Sequence, residues 1–149
     1  MKNNKPKNII LLNDTSNNFH HGCELVLSNL EFLLKKNNFT IVKKVKNGIK
    51  WKEHLALPGD FNNCDLVIVN GEGTIHHNQK IGLDLLEIAK YAKSLNIPSV
   101  LINCTYQNND IKYKKYLDCF SLISVRESLS YEDLKKINIK SMIVPDLSF

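Results

Sequence analysis

Residues 65–77 read Asp65-Leu66-Val67-Ile68-Val69-Asn70-Gly71-Glu72-Gly73-Thr74-Ile75-His76-His77, an apolar run that passes directly into two glycines, a carboxylate and a histidine pair. A continuous apolar run bounded by turn residues suits a central strand covered on both faces, and the polar cluster then falls at its carboxyl end. In open α/β sheets that end is where ligands bind. Gly71 and Gly73 are expected to take positive φ and to expose backbone N–H groups, presenting Glu72 and His76 beside a small anion-binding concavity. The plainer reading of the same residues is a strand-to-helix turn whose glycines serve geometry only.

Upstream of this segment, Ile9 to Leu12 is a short apolar strand followed by a polar loop over 13–22. Cys23, Val26, Leu27, Leu30 and Leu34 recur at helical spacing to about Lys36, which predicts an amphipathic helix. Thr40 to Val45 is a second strand, and 46–64, with Trp51 and Pro58-Gly59, reads as irregular or briefly helical. Leu66 to Val69 is the third strand. Downstream, Ile81, Leu85, Ile88, Ala89, Ala92 and Leu95 form one helical face, stopped by Asn96 and Pro98. Ser99 to Asn103 is a fourth strand, Lys112 to Cys119 a helix, Leu122 to Val125 a fifth strand, Leu129 to Ile137 a helix and Met142 to Val144 a sixth strand.

Strands alternating with helices imply right-handed crossovers and an α/β fold built on a doubly wound, mostly parallel sheet. The strand order is expected to reverse between the first and third strands, which sets the loops 13–22 and 70–77 on either side of one crevice. Asn17, His20, His21, Gly22, Glu72, Thr74 and His76 then become neighbours through topology alone.

With 149 residues, 43% of them hydrophobic, the chain suffices for one domain with a real core and is short for two. Its formal charge of +5 is spread along the length, and Arg126 is the sole arginine. A phosphate-tracking surface concentrates basic residues and favours the arginine fork, so a nucleic-acid partner is not expected. The apolar run after the basic start is far too short for a signal peptide, and no stretch approaches membrane-spanning length, so a cytoplasmic location is expected. Cys23, Cys64, Cys104 and Cys119 are scattered and read as reduced thiols.

Each polar constellation has two readings. Glu72 is either a general acid or base at the crevice mouth or a carboxylate capping the next helix. His20-His21 with Cys23, and His76-His77, invite a metal, yet adjacent histidines point in different directions and no metal is expected. Gly71-Glu72-Gly73-Thr74 has glycines in the wrong places for a dinucleotide fingerprint, and no phosphate-binding Gly-x-x-x-x-Gly-Lys motif is present, so no nicotinamide or flavin cofactor is expected. Arg126, at the carboxyl end of the fifth strand, is either a clamp for a carboxylate or phosphate, or the partner of Glu127 or Asp146 in an ion pair. Asp146 is either a helix N-cap or a site carboxylate. Pro145-Asp146-Leu147-Ser148-Phe149 follows a strand without a closing helix, and a truncated or split protein is expected beside the alternative of a naturally short one.

Asn17 with Gly22, the segment Asn70-Gly-Glu-Gly-Thr-Ile-His76, the strand Val100 to Asn103, the segment Ser124 to Ser130 and the terminal Pro145-Asp146 together resemble the amino-terminal half of the polysaccharide pyruvyl transferase family. The likeness covers essentially the whole chain in the right order. It implies a Rossmann-like domain over 1–149, one lobe of a two-lobed, GT-B-like transferase. It also implies transfer of a pyruvyl group from phosphoenolpyruvate, or another anionic donor, onto a sugar of a surface polysaccharide precursor such as capsule or cell-envelope material. Carried onto this sequence, the resemblance makes Glu72 and His76 the proton-transferring residues and Asn17, His20, Gly22, Gly71, Gly73, Thr74 and Arg126 substrate-binding. It further implies a second lobe on a separate chain and, where the acceptor is lipid-linked, a peripheral position at the membrane. Half of a sugar-nucleotide glycosyltransferase, or a non-catalytic binding remnant, are the competing expectations.

Overall fold

A computed structural model of the chain describes residues 5–16 and 20–149. Six parallel strands, β1 (Lys7–Asp14), β2 (Phe39–Lys46), β3 (Leu66–His76), β4 (Ser99–Gln107), β5 (Leu122–Val125) and β6 (Met142–Ile143), form one sheet in the order β2-β1-β3-β4-β5-β6. The order reverses between β1 and β3, as the sequence predicts, and the arrangement is a doubly wound, Rossmann-like α/β fold.

The apolar strand centres alternate between two cores. Ile10, Leu12, Val67, Val69 and Leu101 face one way, onto α2 (Trp51–His54), α3 (Lys80–Ser94), α4 (Lys114–Leu117) and α5 (Ser128–Lys136). Ile9, Leu11 and Ile68 face the other way, onto α1 (His21–Lys36) through Val26, Leu27 and Leu30. Residues at i and i+2 share a face of a strand, so four consecutive apolar residues in β1 and β3 serve both cores at once. Full burial of each such side chain stabilises by about 1.5–3 kcal/mol.

Segment 46–64, read from sequence as irregular or briefly helical, holds the four-residue α2 and a 3-10 turn at Gly59–Phe61. Trp51 is buried there, its Nε1 donating to the Asp84 carbonyl at 2.8 Å, and this bond anchors α2 on α3. The stretch predicted as a helix over 112–119 is a 3-10 turn at Ile111–Tyr113 followed by α4. Asparagine replaces glycine as the helix terminator: Asn38, Asn96 and Asn138 follow α1, α3 and α5 with φ of 63°, 57° and 56°. Asn tolerates this left-handed position better than most side chains, and the amide after each helix then reaches a carbonyl of the last turn. Among the described residues no helix is long and apolar enough to cross a membrane.

One expectation is overturned at the centre of the sheet. Residues 70–76 are not a loop: β3 continues through them, paired with β4 as far as His76 opposite Gln107. The register shifts between Glu72 and Ile75, so the polar segment is a bulged strand extension. Gly71 and Gly73 lie outside the left-handed region, whereas Glu72 between them has φ of 37°.

Candidate functional site

The carboxyl edge of the sheet is built from one repeated element. Asn13, Asn70 and Asn103 stand at the ends of the apolar runs of β1, β3 and β4, and all three are buried. Asn13 Nδ2 donates to the Asn70 carbonyl at 2.7 Å and to Thr74 Oγ1 at 3.1 Å, and Asn103 Nδ2 donates to Asn70 Oδ1 at 3.5 Å. Asn13 and Asn103 both adopt left-handed backbone, and the pairing register slips beside each of them. Asn13 and Asn70 each donate to the other's carbonyl, Asn70 Nδ2 to the Asn13 carbonyl at 3.4 Å, while the buried Asn13 Oδ1 has no hydrogen-bond partner among the described residues.

Glu72 is seated on this row. It is 7% exposed, and its Oε1 accepts from Thr15 Oγ1 at 2.5 Å and from Asn70 Nδ2 at 2.8 Å. Its Oε2 accepts from Cys23 Sγ at 3.4 Å. The helix-cap reading of Glu72 is excluded, because α3 begins eight residues later behind Gln79 and the Glu72 side chain is engaged by Thr15, Asn70 and Cys23. A non-glycine residue at φ of 37° inside a strand is strained at a cost of about 1–3 kcal/mol, which the three donors and the surrounding packing offset. Burial and the Glu72 carboxylate both push the Cys23 thiol up, so it faces Glu72 as a neutral donor.

Glu72 opens onto a cleft of about 460 Å³ at the switch point, lined by His20, Gly22, Cys23 and Val26 of the first crossover, Asn47, the Glu72-Gly73-Thr74 segment, Arg126, Asp146 and Ser148. The two polar clusters flanking the reversal of strand order thus meet, as topology predicts. Arg126 extends from the end of β5, its Nε donating to Thr105 Oγ1 at 2.8 Å and its Nη1 to Asp146 Oδ2 at 2.8 Å. Of its two candidate ion-pair partners the structure selects Asp146, because Glu127 turns away and caps α5 through the Ser130 amide and hydroxyl. Although burial alone pushes the Asp146 carboxyl up, the Ser148 amide and hydroxyl and the Arg126 guanidinium hold it below its ordinary value.

Gly71 is beneath the cleft, not in its wall. A Cβ there would stand 2.7 Å from Cys104 Cβ and 2.8 Å from Cys104 Cα, so its small size lets β3 approach β4. Gly73 is exposed in the cleft wall, where a Cβ would come within 3.8 Å of Arg126 Nη2. His76 is not among the cleft residues. It ends β3 with Nδ1 3.0 Å from His77 Nδ1, while His77 Nε2 lies 3.1 Å from Asn108 Nδ2, so the pair belongs to the β3 and β4 exits. His21 projects into solvent beside Glu24. Asn17 lies outside the described residues. Among those described, no three His, Cys, Asp or Glu side chains gather as metal ligands.

Sequence reasoning passed over Thr15 and the asparagine row as parts of the site, and weighed Cys23 there only as a metal ligand. A signal was present for the row: Ile-Ile-Leu-Leu-Asn, Leu-Val-Ile-Val-Asn and Val-Leu-Ile-Asn close three strands on the same residue. Side chains at equal heights in adjacent parallel strands become neighbours.

Compared with known families, the chain matches the model described as polysaccharide pyruvyl transferase over residues 7–149. No curated protein matches it.

Proposed function

The chain belongs to the polysaccharide pyruvyl transferase family, and from that premise we propose that its cleft serves transfer of a pyruvyl group from phosphoenolpyruvate to a sugar of a surface polysaccharide precursor. The observation that carries the reading is the convergence of a strained, buried carboxylate and an arginine on one cleft at the switch point.

Ketal formation requires a proton delivered to the terminal enol carbon, positive charge developed at C2, attack there by two sugar oxygens and departure of the phosphate with its C–O bond. Each attacking hydroxyl gives up a proton. Glu72 Oε2, with only the Cys23 thiol as a described donor, is positioned to accept one of them, while Oε1 is held by Thr15 and Asn70. Arg126 Nη2 is the guanidinium nitrogen left for a ligand oxygen. Gly73 and Thr74 form the wall between the two, and His20 and Gly22 close the opposite side. His76, which ends β3 outside the cleft lining and lies against His77, takes no proton-transfer step in this reading.

This chain supplies one lobe of the enzyme in this reading, and further cations for the donor come from a second lobe. The experiment is phosphate release from phosphoenolpyruvate with a sugar acceptor, measured on the chain alone and on the reconstituted two-lobed form. The chain alone is expected to show no turnover. Glu72→Gln is expected to lower the rate of the reconstituted form by about a hundred- to ten-thousand-fold, the usual worth of a positioned acid or base. A Glu72→Gln variant that melts normally and turns over within about threefold of the parent, far short of that catalytic range, removes Glu72 from the chemistry.

A further inference from the structure

We propose that Asn103, which does not line the cleft, is a positioning residue for Glu72: it orients the Asn70 amide with Nδ2 toward the carboxylate, so that Oε1 is held and Oε2 is the oxygen offered to the cleft. The inference rests on the reading of Glu72 as the residue that accepts a substrate proton and adds what holds it to that task.

The two ends of a side-chain amide are alike in size and opposite in hydrogen bonding, so its neighbours decide which way it faces. Here the series of amides is bounded by groups that cannot exchange roles. At one end the Leu147 backbone amide, a donor only, meets Asn103 Oδ1 at 3.5 Å. Asn103 Nδ2 is thereby turned to Asn70 Oδ1, also at 3.5 Å, and Asn70 Nδ2 to Glu72 Oε1 at 2.8 Å. Every donor in the series points toward the carboxylate. The two outer contacts are long, so they supply direction more than energy, and the short one falls on Glu72. Were the Asn70 amide turned over, two oxygens would face each other at Glu72 and two N–H groups at Asn103, and neither contact would be a hydrogen bond. The Asn13 carbonyl, accepting from Asn70 Nδ2 at 3.4 Å, favours the same orientation.

Asn103 is placed for this role by the backbone. It is 4% exposed, has φ of 51°, and sits where the pairing of β4 with β5 slips between Leu101 and Cys104. Glycine takes that backbone freely, whereas asparagine takes it with some strain and brings an amide to the row. The anchor of the series is itself fixed, because the Leu147 carbonyl accepts from Asn29 Nδ2 of α1 at 2.6 Å. Thr15 differs in kind. Its hydroxyl also donates to Glu72 Oε1, at 2.5 Å, but a hydroxyl rotates to suit its acceptor and imposes no orientation.

The test is read on the chain of 149 residues through Cys23, whose Sγ donates to Glu72 Oε2 at 3.4 Å and so reports on that oxygen. Burial and Glu72 push this thiol up, while the Thr15 hydroxyl and Arg126 draw it down, and neither of the last two bonds Asn103. Iodoacetamide alkylation of Cys23 is followed across pH by peptide mass spectrometry, with Cys119, beyond the end of α4, as internal reference. Asn103→Gly keeps the left-handed backbone and removes the amide. Asn103→Asp, the second variant should glycine loosen the sheet edge, keeps the acceptor for Leu147 and removes the donor to Asn70. Each is combined with the parent and with Glu72→Gln, and the rate change in the first background is divided by that in the second, which cancels direct effects on the thiol and its access. With Asn70 free to turn, Oε2 is no longer held beside the thiol, and the quotient at neutral pH is expected to reach at least about threefold, the thiolate gained by a shift of about half a pH unit. A quotient near or below one in either variant that melts normally overturns the proposal, since a residue that only packs the edge alters Cys23 alike in both backgrounds. No turnover is read, so a failure here leaves pyruvyl transfer to its own test through Glu72, and a failure there leaves the quotient unaffected.

Discussion

The two halves of β3 are continuous in sequence and opposite in construction. Leu66 to Val69 pairs in regular register with β1 and β4, alternating its side chains into two apolar cores. Asn70 to His76 runs on in the same sheet but bulges, carries Glu72 in left-handed backbone and turns polar groups toward a cleft. The lower half gains stability at every position, and the upper half spends some of it on placing a carboxylate. A regular ladder cannot present three polar groups of one strand to a common point, because alternate residues face opposite sides. The bulge is the device that re-aims them.

If this division holds, substitutions in the lower half change stability and those in the upper half change what the cleft does. The largest stability effect is expected for Ile68→Ala, which empties a site 3% exposed between β3 and α1. A loss of about 2–5 kcal/mol is expected by denaturant titration. A loss below about 1 kcal/mol, outside that range, means the α1 face of the sheet is not packed as described.

Next comes the seam between the halves. Gly71→Ala places a methyl under 3 Å from both Cβ and Cα of Cys104 and forces β3 and β4 apart, at an expected cost of about 1–3 kcal/mol. Gly73→Ala, two residues on, meets only an ordinary contact and is expected to stay within about 0.5 kcal/mol of the parent. Equal melting shifts for the two variants break the distinction.

The smallest effect tests the electrostatics of the upper half. Burial and the Glu72 carboxylate raise the Cys23 thiol above its ordinary value, so its thiolate is scarcer at neutral pH than that of a free cysteine. Alkylation by iodoacetamide, followed by peptide mass spectrometry, is expected to be slow at neutral pH. Its pH profile is expected to lie on the alkaline side of a model thiol and to move back toward neutral pH in Glu72→Gln. A profile that coincides with the model thiol in the parent means that the thiol and the carboxylate do not face each other.

The strand and helix sequence, the parallel winding and the reversal between β1 and β3 were legible from residue patterns, because each depends on burial repeated along a short window. The apolar runs at Ile9–Leu12, Leu66–Val69 and Leu122–Val125 each mark a strand, and the last coincides with β5. The meeting of His20 and Gly22 with Glu72 and Thr74 followed from that topology. The polar segment was harder, since Gly-Glu-Gly has the composition of a turn. It stays in the sheet because β4 continues beside it to Gln107, a neighbour some thirty residues away that local composition does not report.

Sequence by itself therefore determined the architecture, the edge of the sheet that carries the site and the candidate carboxylate. Only the tertiary structure decided which polar groups reach one another. It seats Glu72 on Thr15, Asn70 and Cys23, sends His76 to its neighbour His77, and chooses Asp146 over Glu127 as the partner of Arg126. The physical reason is the range of the forces involved. Hydrophobic burial is summed over many residues and leaves a periodic trace, whereas a hydrogen bond depends on the placement of two atoms to a few tenths of an ångström, set by every strand that lies between them.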